Sequence, residues 1–213
     1  MAQITSFRTR EVRWFQNRPI GEIHRWFNAL PPTSFTREYR EDRYLVLPGR
    51  RDLGVKFREN RLELKYRLAA SGLQEIAPGI KGSLESWEKL GFPSTPETAS
   101  SLLPEDSTAT RVSVLKRRLA TIIETTGGQR TFHPLGTPVT AGVQFEYTEL
   151  QVRGSDWYTF GLEWLENKPV PLPAQLLAGL LSPSEFEKMY AMGYPEFLQR
   201  LLHSKGDLGI IPA

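Results

Sequence analysis

Residues 53–68 read LGVKFRENRLELKYRL, and this stretch decides the fold class. Large apolar side chains stand at every second position on either side of Glu59 and Asn60. That period predicts two half-buried strands joined by a tight turn. The positions between the apolar ones carry four cations, namely Lys56, Arg58, Lys65 and Arg67. Because alternate side chains of a strand share a face, we expect these cations to lie together on one face of a sheet.

The two-residue period continues on both sides of this stretch. It predicts an early strand at residues 10–15 and a meander of three strands across residues 37–68. Later strands are expected at residues 83–90, 109–125, 130–133, 142–153 and 157–165. Gly127-Gly128 and the turn at residues 154–156 have the composition of hairpin connections. The pattern is typical of an antiparallel, mainly β protein with seven or eight strands.

Helical periodicity is confined to one early segment and to the C-terminal part. Residues 20–30 place apolar side chains three to four positions apart and are followed by two prolines. Residues 171–181 predict a second helix, a capping box at residues 182–185 predicts a third, and Pro195 starts a fourth. We expect these C-terminal helices, residues 171–204, to pack on the apolar face of the sheet. Residues 91–107, which are rich in Pro, Ser, Thr and Glu, are predicted to form a flexible loop.

The composition limits the class of protein. With 213 residues, 39% of them apolar and 24% charged, the chain is expected to fold as a single domain over residues 1–213. It has no cysteine, which excludes disulfide frameworks, thiolate zinc sites and cysteine nucleophiles. A signal-peptide pattern and a bilayer-length apolar run are both missing, so a cytoplasmic location is expected. The net charge of +3 is a mild basic excess that favours anionic partners.

The charged faces of the strands admit two interpretations. An ordinary half-solvated sheet would show the same alternation, and its exposed charges would pair across strands. However, the C-terminal helices need the apolar face, which leaves the charged face open to water or curled inward. A closed sheet with Lys and Arg inside requires bound anions, water and counter-carboxylates, since unpaired buried charges are costly. A triphosphate with a divalent cation would suit such an interior.

Other strands extend the charge pattern. Lys116 and Arg118 share one face of the strand at residues 109–125, although the opposite parity, with Arg111 and Arg117, is also open. The first strand carries Glu11, and the two late strands carry Glu146 and Glu163. We therefore expect cations on the central strands and carboxylates on the terminal ones.

Together these residues resemble the CYTH, or triphosphate tunnel metalloenzyme, superfamily. The resemblance spans about residues 11–202 and lies in short motifs: VKFR at 55–58, ELKYR at 63–67, VLKRR at 114–118 and FGLE at 160–163. It implies an eight-stranded antiparallel β tunnel with peripheral helices. Relatives hydrolyse inorganic triphosphate, thiamine triphosphate or RNA 5′-triphosphate ends, or cyclise ATP, and they use Mg²⁺ or Mn²⁺.

The resemblance also implies roles for individual residues. The catalytic carboxylates would be Glu11, Glu146 and Glu163. The metal ligands among them would be Glu146 and Glu163. The phosphate-binding cations would be Arg13, Arg43, Lys56, Arg58, Lys65, Arg67, Lys116 and Arg118. The expected partner is a triphosphate-containing small molecule or inorganic polyphosphate, with nucleic acid as a weaker alternative and no membrane.

The chain departs from the family's N-terminal Glu-x-Glu-x-Lys strand. Glu11 keeps the first glutamate, but Arg13 stands at the second and Phe15 at the lysine. Gly161 also stands where many relatives have an acidic residue. An arginine in place of a metal-binding glutamate reverses the local charge and lowers the affinity for a divalent cation. Two hypotheses remain: a metal-dependent triphosphatase, or a phosphate-binding or interaction module in which Arg13 pairs with Glu146 or Glu163.

Aromatic residues near the cations leave a third hypothesis open, namely binding of single-stranded RNA by base stacking. The candidates are Trp14, Tyr39, Tyr44, Trp87 and Trp157. In an amphipathic sheet, however, aromatic side chains more often belong to the core. The three histidines, at positions 24, 133 and 203, are too scattered in the sequence to suggest a metal triad.

Overall fold

A computed structural model describes residues 4–95, 108–165 and 174–203 of the chain. Its strands are β1 (Thr5–Gln16), β2 (Thr36–Val46), β3 (Leu53–Arg58), β4 (Arg61–Ala77), β5 (Ile80–Pro93), β6 (Thr110–Thr126), β7 (Gln129–His133), β8 (Gly142–Val152), β9 (Ser155–Leu165) and β10 (Tyr190–Ala191). Its helices are α1 (Gly21–Ala29), α2 (Ala174–Leu180), α3 (Pro183–Phe186) and α4 (Tyr194–His203), with a short 3₁₀ helix at Pro32–Ser34. In these described ranges, no helix is long and apolar enough to cross a membrane.

Eight of the strands form a closed antiparallel barrel. The order around the ring is β1-β5-β4-β3-β2-β6-β8-β9, and β9 pairs with β1 to close it. Eight aligned residue pairs make this closure, from Thr9 opposite Leu165 to Gln16 opposite Tyr158. The two remaining strands lie beside the ring, because β7 pairs with the end of β6 and β10 pairs with β1. The expected eight-stranded antiparallel barrel is therefore confirmed.

The hairpin of β4 and β5 is longer than the sequence pattern predicted. β4 continues to Ala77 and β5 begins at Ile80, whereas the predicted strands ended at 68 and began at 83. Residues 68–75 of this extension are exposed. A strand without a buried face has no need for alternating apolar residues, so the two-residue period could not reveal it.

The structure bears on only part of the loop predicted at residues 91–107. β5 extends to Pro93, so the first three of these residues belong to a strand. Residues 96–107 lie outside the described part of the chain.

Apolar side chains on the outside of the barrel form the larger core. They project from β1, β6, β8 and β9, and α1, α2 and α3 cover them. The largest of them are Trp14, Trp164, Tyr147, Phe145 and Phe160. Trp14 and Phe160 stack with ring centroids 4.8 Å apart, and Phe186 of α3 meets Trp14 edge-on at 5.3 Å. This part of the barrel therefore turns its other face, which carries the charges, inward.

The smaller core fills one end of the barrel from inside. Its strand residues have the inward parity, and α4 packs against them with Phe197, Leu198 and Leu201. Phe197 stacks on Phe15 of β1 with ring centroids 4.1 Å apart. The C-terminal helices were predicted to pack together on one sheet face. In the structure, α2 and α3 pack on the outer face of the barrel, whereas α4 plugs one end, because apolar inward side chains there provide a surface for it.

Candidate functional site

The barrel encloses a cavity of about 820 Å³ above the α4 plug. Its wall carries far more cations than acids. Among the described residues that line it, nine are cationic: Arg13, Arg40, Lys56, Arg58, Arg61, Lys65, Lys89, Lys116 and Arg118. Four are acidic: Glu11, Glu63, Glu146 and Glu163. The lining residues therefore have a formal excess of five positive charges, which falls to three when their partners Asp42 and Glu38, just outside the lining, are counted.

Strand parity explains why these side chains converge. In β3 and β4, the apolar side chains that alternate with the cations point outward, so Lys56 and Lys65 point into the barrel. Lys65 lies directly opposite Lys89 of β5, and paired residues of neighbouring strands share a face, so Lys89 also points into the barrel. In β6, of the two parities that the sequence left open, the structure selects the one that points Lys116 and Arg118 inward.

One group of ion pairs lies on β3 and β4. Lys56 Nζ is 2.8 Å from Glu63 Oε2, and Arg58 Nη2 donates to Glu63 Oε1 at 2.9 Å. Burial alone would raise the pKa of Glu63, but the two cations outweigh burial and hold it below its usual value. Glu63 therefore stays ionised and orders two adjacent cations of the wall.

Asp42 of β2 is the hub of a second group. Its side chain is 0% exposed, and its Oδ2 lies 2.7 Å from Lys116 Nζ and 3.5 Å from Lys56 Nζ. Arg40 Nε lies 3.4 Å from its Oδ1. Burial acts to raise the pKa of Asp42, but these three cations together lower it well below its usual range. A single buried carboxylate thus balances cations from three strands.

Lys116 is held in a partly aromatic environment. Its Nζ donates to Tyr44 Oη at 2.8 Å and lies 4.1 Å from the ring centroid of Tyr194 at the start of α4. Burial, which penalises the ammonium form, lowers the pKa of Lys116 to about 7, although Asp42 opposes this effect. The charge of Lys116 is therefore sensitive to pH and to any further anion placed beside it.

A third group connects β1, β8 and β6. Arg13 Nη1 lies 2.6 Å from Glu146 Oε1, and Arg118 Nη2 lies 2.9 Å from Glu146 Oε2. Gln144 Nε2 also donates to Glu146 Oε2 at 3.2 Å. Burial would raise the pKa of Glu146, but Arg13 and Arg118 hold it well below its usual range. Of the two pairings open for Arg13 in the sequence, the structure shows the one with Glu146.

The remaining two carboxylates of the wall are each paired with a lysine. Lys65 Nζ donates to Glu11 Oε2 at 2.5 Å, and Lys89 Nζ donates to Glu163 Oε1. Burial would raise the pKa of Glu163, but Lys89 and Lys65 lower it. Burial is also the main cause of a lowered pKa at Lys65, which Glu11 only partly opposes.

These pairings do not fit a divalent metal site. A hard cation needs several carboxylate or carbonyl oxygens that are not already held by cations. Both oxygens of Glu146 are held by guanidinium groups, and Glu11 and Glu163 each bind a lysine through one oxygen, so that at most two oxygens of these three carboxylates are not held by a cation. Within the described residues, no group of three or more His, Asp or Glu side chains is arranged to hold a metal ion. The metal-ligand roles expected for Glu146 and Glu163 therefore find no support in the arrangement of their side chains.

The predicted phosphate binders divide into three sets by position. Six of them line the cavity, namely Arg13, Lys56, Arg58, Lys65, Lys116 and Arg118. Arg67 points inward but lies beneath the plug, where its Nη1 donates to Glu85 Oε1 at 2.7 Å. Arg43 is on the outer face and pairs with the exposed Glu41, because Asp42 and Tyr44 take the inward parity of β2. Arg43 therefore lies outside the cavity, away from the six predicted phosphate binders that line it.

The residues around the cavity that sequence reasoning missed include Arg40, Asp42, Arg61, Lys89 and Tyr194. A signal was present for two of them, since Arg40 and Asp42 share parity with Tyr44, whose aromatic ring turns inward. Lys89 shares the inward parity of Glu85 and Trp87 on β5. Tyr194 reaches the cavity through the position of α4, for which the strand pattern gives no signal.

The aromatic candidates for base stacking lie mostly in the core. Trp14 and Trp87 are completely buried, and Tyr44 and Trp157 are also buried. Tyr39 is 68% exposed on the outside of β2. Four of the five aromatic residues are therefore buried in the folded protein, and of these Tyr44 lines the cavity.

No protein-family model and no curated protein matches this chain. Among solved structures, the chain is similar to a conserved hypothetical protein from Pyrococcus furiosus, with 16% sequence identity and a TM-score of 0.43. The similarity covers 87% of this chain and 98% of that one. The chemistry of the cavity is therefore argued from its own residues.

The pairing of Asp42 gives a prediction for stability. Asp42→Asn leaves Lys116 buried beside a neutral amide, so we expect the free energy of unfolding to fall by about 3–5 kcal/mol. Urea unfolding followed by far-UV circular dichroism measures the change. Asp52→Asn is the matched control, because Asp52 pairs with Arg50 at the exposed surface and its loss should change little. Equal effects of the two substitutions would contradict the hub role of Asp42.

Proposed function

We propose that the barrel binds a linear polyphosphate, either a triphosphate-containing small molecule or inorganic polyphosphate, in its central cavity. The observation that carries this proposal is the excess of cations among the described residues of the wall, which is five by formal count and three when Asp42 and Glu38 are included. A cavity of about 820 Å³ lies within the range of about 300–1,000 Å³ that small-molecule sites occupy. A linear anion with several charges matches cations that come from most strands of the ring.

The ion pairs of the wall support the proposal because they fix the cations without exhausting their donors. A guanidinium has five N–H groups and an ammonium has three, so one carboxylate leaves further donors for a ligand. Among the described residues, Arg13 Nε and Arg118 Nε are buried and make no protein hydrogen bond. Buried donors of this kind are normally satisfied by water or a ligand. Because the ion pairs already hold these donors in place, less side-chain entropy is lost when a ligand binds.

Hydrolysis of the bound anion is not part of this proposal. The triphosphatase hypothesis needs Mg²⁺ or Mn²⁺ on Glu146 and Glu163, and these carboxylates are held by arginine and lysine side chains. We therefore derive no hydrolytic step through a metal ion. Of the hypotheses from the sequence, the binding module is the one that the contacts of the cavity favour.

A binding experiment tests the proposal directly. Tripolyphosphate titrated into the protein should bind and raise the melting temperature, and the affinity should fall with added salt. Lys56→Gln and Arg58→Gln should each weaken binding about tenfold to a hundredfold, because each removes a charge-assisted hydrogen bond worth about 1.5–3 kcal/mol. Calorimetric titration gives both affinities.

Arg43→Gln is the control for this experiment, since Arg43 lies on the outer face of the same barrel. Its affinity for tripolyphosphate should match that of the wild type. The proposal fails if tripolyphosphate, ATP and thiamine triphosphate all leave the melting temperature unchanged. It fails as well if Arg43→Gln weakens binding as much as Lys56→Gln.

Lys116 gives the binding reaction a pH dependence. Its pKa of about 7 in the free protein means that it is protonated below pH 7 and loses its charge as the pH rises. A bound anion favours the ammonium form, so binding should take up a proton, and Lys116 should contribute less to affinity as the pH rises from 6 to 8.

Titrations in buffers of different ionisation enthalpy measure this proton uptake. Lys116→Met is the comparison, because the titration of the ligand itself is common to both proteins and cancels. Wild-type protein should take up more protons than the variant near and above pH 7. The same proton uptake in both proteins would show that Lys116 does not face the ligand.

A further inference from the structure

We infer that Arg13 is a built-in cation of the cavity, which lets the barrel bind polyphosphate without a divalent metal ion. The inference rests on the proposed function, because it concerns how the same anion is neutralised. It predicts a metal-independent site, which the resemblance to metal-dependent enzymes would not suggest.

The position of Arg13 depends on the absence of a side chain at Gly161. In the closed barrel, Gly161 of β9 lies opposite Arg13 of β1 on one side and opposite Glu146 of β8 on the other. A Cβ atom added at Gly161 would lie 3.3 Å from Arg13 Cζ and 2.8 Å from the carbonyl oxygen of Val12. Arg13 thus crosses the bare backbone of Gly161 to reach Glu146. The arginine and the glycine are two parts of one arrangement.

The guanidinium of Arg13 is fixed and permanently charged. Its side chain is 5% exposed, its Nη1 lies 2.6 Å from Glu146 Oε1, and its Cζ lies 4.9 Å from the ring centroid of Tyr194. Burial would lower the pKa of Arg13, but Glu146 and other nearby groups raise it above its usual value. Tyr194 comes from α4, so the plug of the barrel also holds this cation in place.

Glu146 serves in this arrangement as an internal anion. Arg13 and Arg118 hold one oxygen each, in the way that two guanidinium groups hold a phosphate. Both arginines also line the cavity and keep a buried Nε that has no protein hydrogen-bond partner. A polyphosphate entering the cavity would meet two cations already held together and would compete with Glu146 for them.

If Glu146 competes with the bound anion, replacing it should strengthen anion binding. Replacing a metal ligand should have the opposite effect. Glu146→Gln removes the competing negative charge and leaves Arg13 and Arg118 less neutralised. The free variant should melt at a lower temperature than the wild type, because Arg13 has lost its carboxylate and Arg118 keeps only Glu38, 3.2 Å from its Nη1. It should nevertheless bind tripolyphosphate about tenfold more tightly in EDTA and show a larger rise in melting temperature on binding. A metal ligand replaced in this way would instead lose affinity.

The experiment is a calorimetric titration of tripolyphosphate into the full chain, once in EDTA and once with millimolar Mg²⁺ or Mn²⁺. Wild-type protein should bind in EDTA, and metal should leave the affinity unchanged or lower it, since metal neutralises the free ligand. Arg13→Gln should bind about tenfold to a hundredfold more weakly in EDTA, and added metal should not restore the loss. Glu149→Gln, which removes an outer-face partner of Arg117, is the control and should match the wild type.

The outcomes separate the two proposals. Binding in EDTA that weakens with Arg13→Gln and strengthens with Glu146→Gln supports the inference. Binding that is about tenfold tighter with Mg²⁺ or Mn²⁺ would overturn the inference while leaving polyphosphate binding intact. An absence of binding by wild-type protein under both conditions would overturn the proposed function and the inference with it. The wild-type comparison requires no variant, so a variant that fails to fold does not prevent a decision.

Discussion

The pairing of charges inside a closed barrel is the constraint on which the rest of this structure depends. A charge removed from water costs several kcal/mol unless an opposite charge compensates it. Each carboxylate of the cavity wall pairs with at least one cation that comes from a different strand. Asp42, below the wall, balances three cations at once. The carboxylates therefore serve first to hold the cations, and the cations remain in excess.

The same inward faces change from apolar to charged within two residues. Phe15 of β1 packs against α4, whereas Arg13, one inward position earlier, pairs with Glu146. On β6, Val114 belongs to the plugged end and Lys116 to the cavity. The boundary lies at a common level because register aligns the strands around the ring. The plug by α4 thus bounds the cavity and supplies Tyr194 to two of its cations, Arg13 and Lys116.

Local periodicity was sufficient to predict part of this arrangement. Strands with one strongly apolar face have a defined parity, which is why the positions of these strands along the chain and the shared face of Lys56 and Lys65 with neighbouring cations could be predicted from the sequence. β2 has no such contrast, since polar residues stand on both of its faces, and the sequence alone did not show that Arg43 lies on the outer one. The exposed end of β4 has no apolar face at all. An amphipathic helix predicts an apolar contact, but it does not predict whether that contact lies outside a barrel or within its end.

The partners of the charges could not be predicted from local periodicity. Arg13 and Glu146 are far apart in the sequence and meet because β9 lies between their strands. Arg13 and Gly161 could be recognised separately as departures from a metal-binding pattern. The two are connected because the side chain of Arg13 crosses Gly161, which has no side chain of its own. This contact exists only because the ring is closed by the pairing of β1 with β9. Closure is a property of the whole sheet, and no single strand encodes it.

A crystal structure of the protein with tripolyphosphate in EDTA would test the central claim most directly. It should show the anion inside the barrel, with phosphate oxygens within hydrogen-bonding distance of Arg13 and Arg118 and with no metal ion between them. An anion bound only to the outer face, beside Arg43, would contradict the claim.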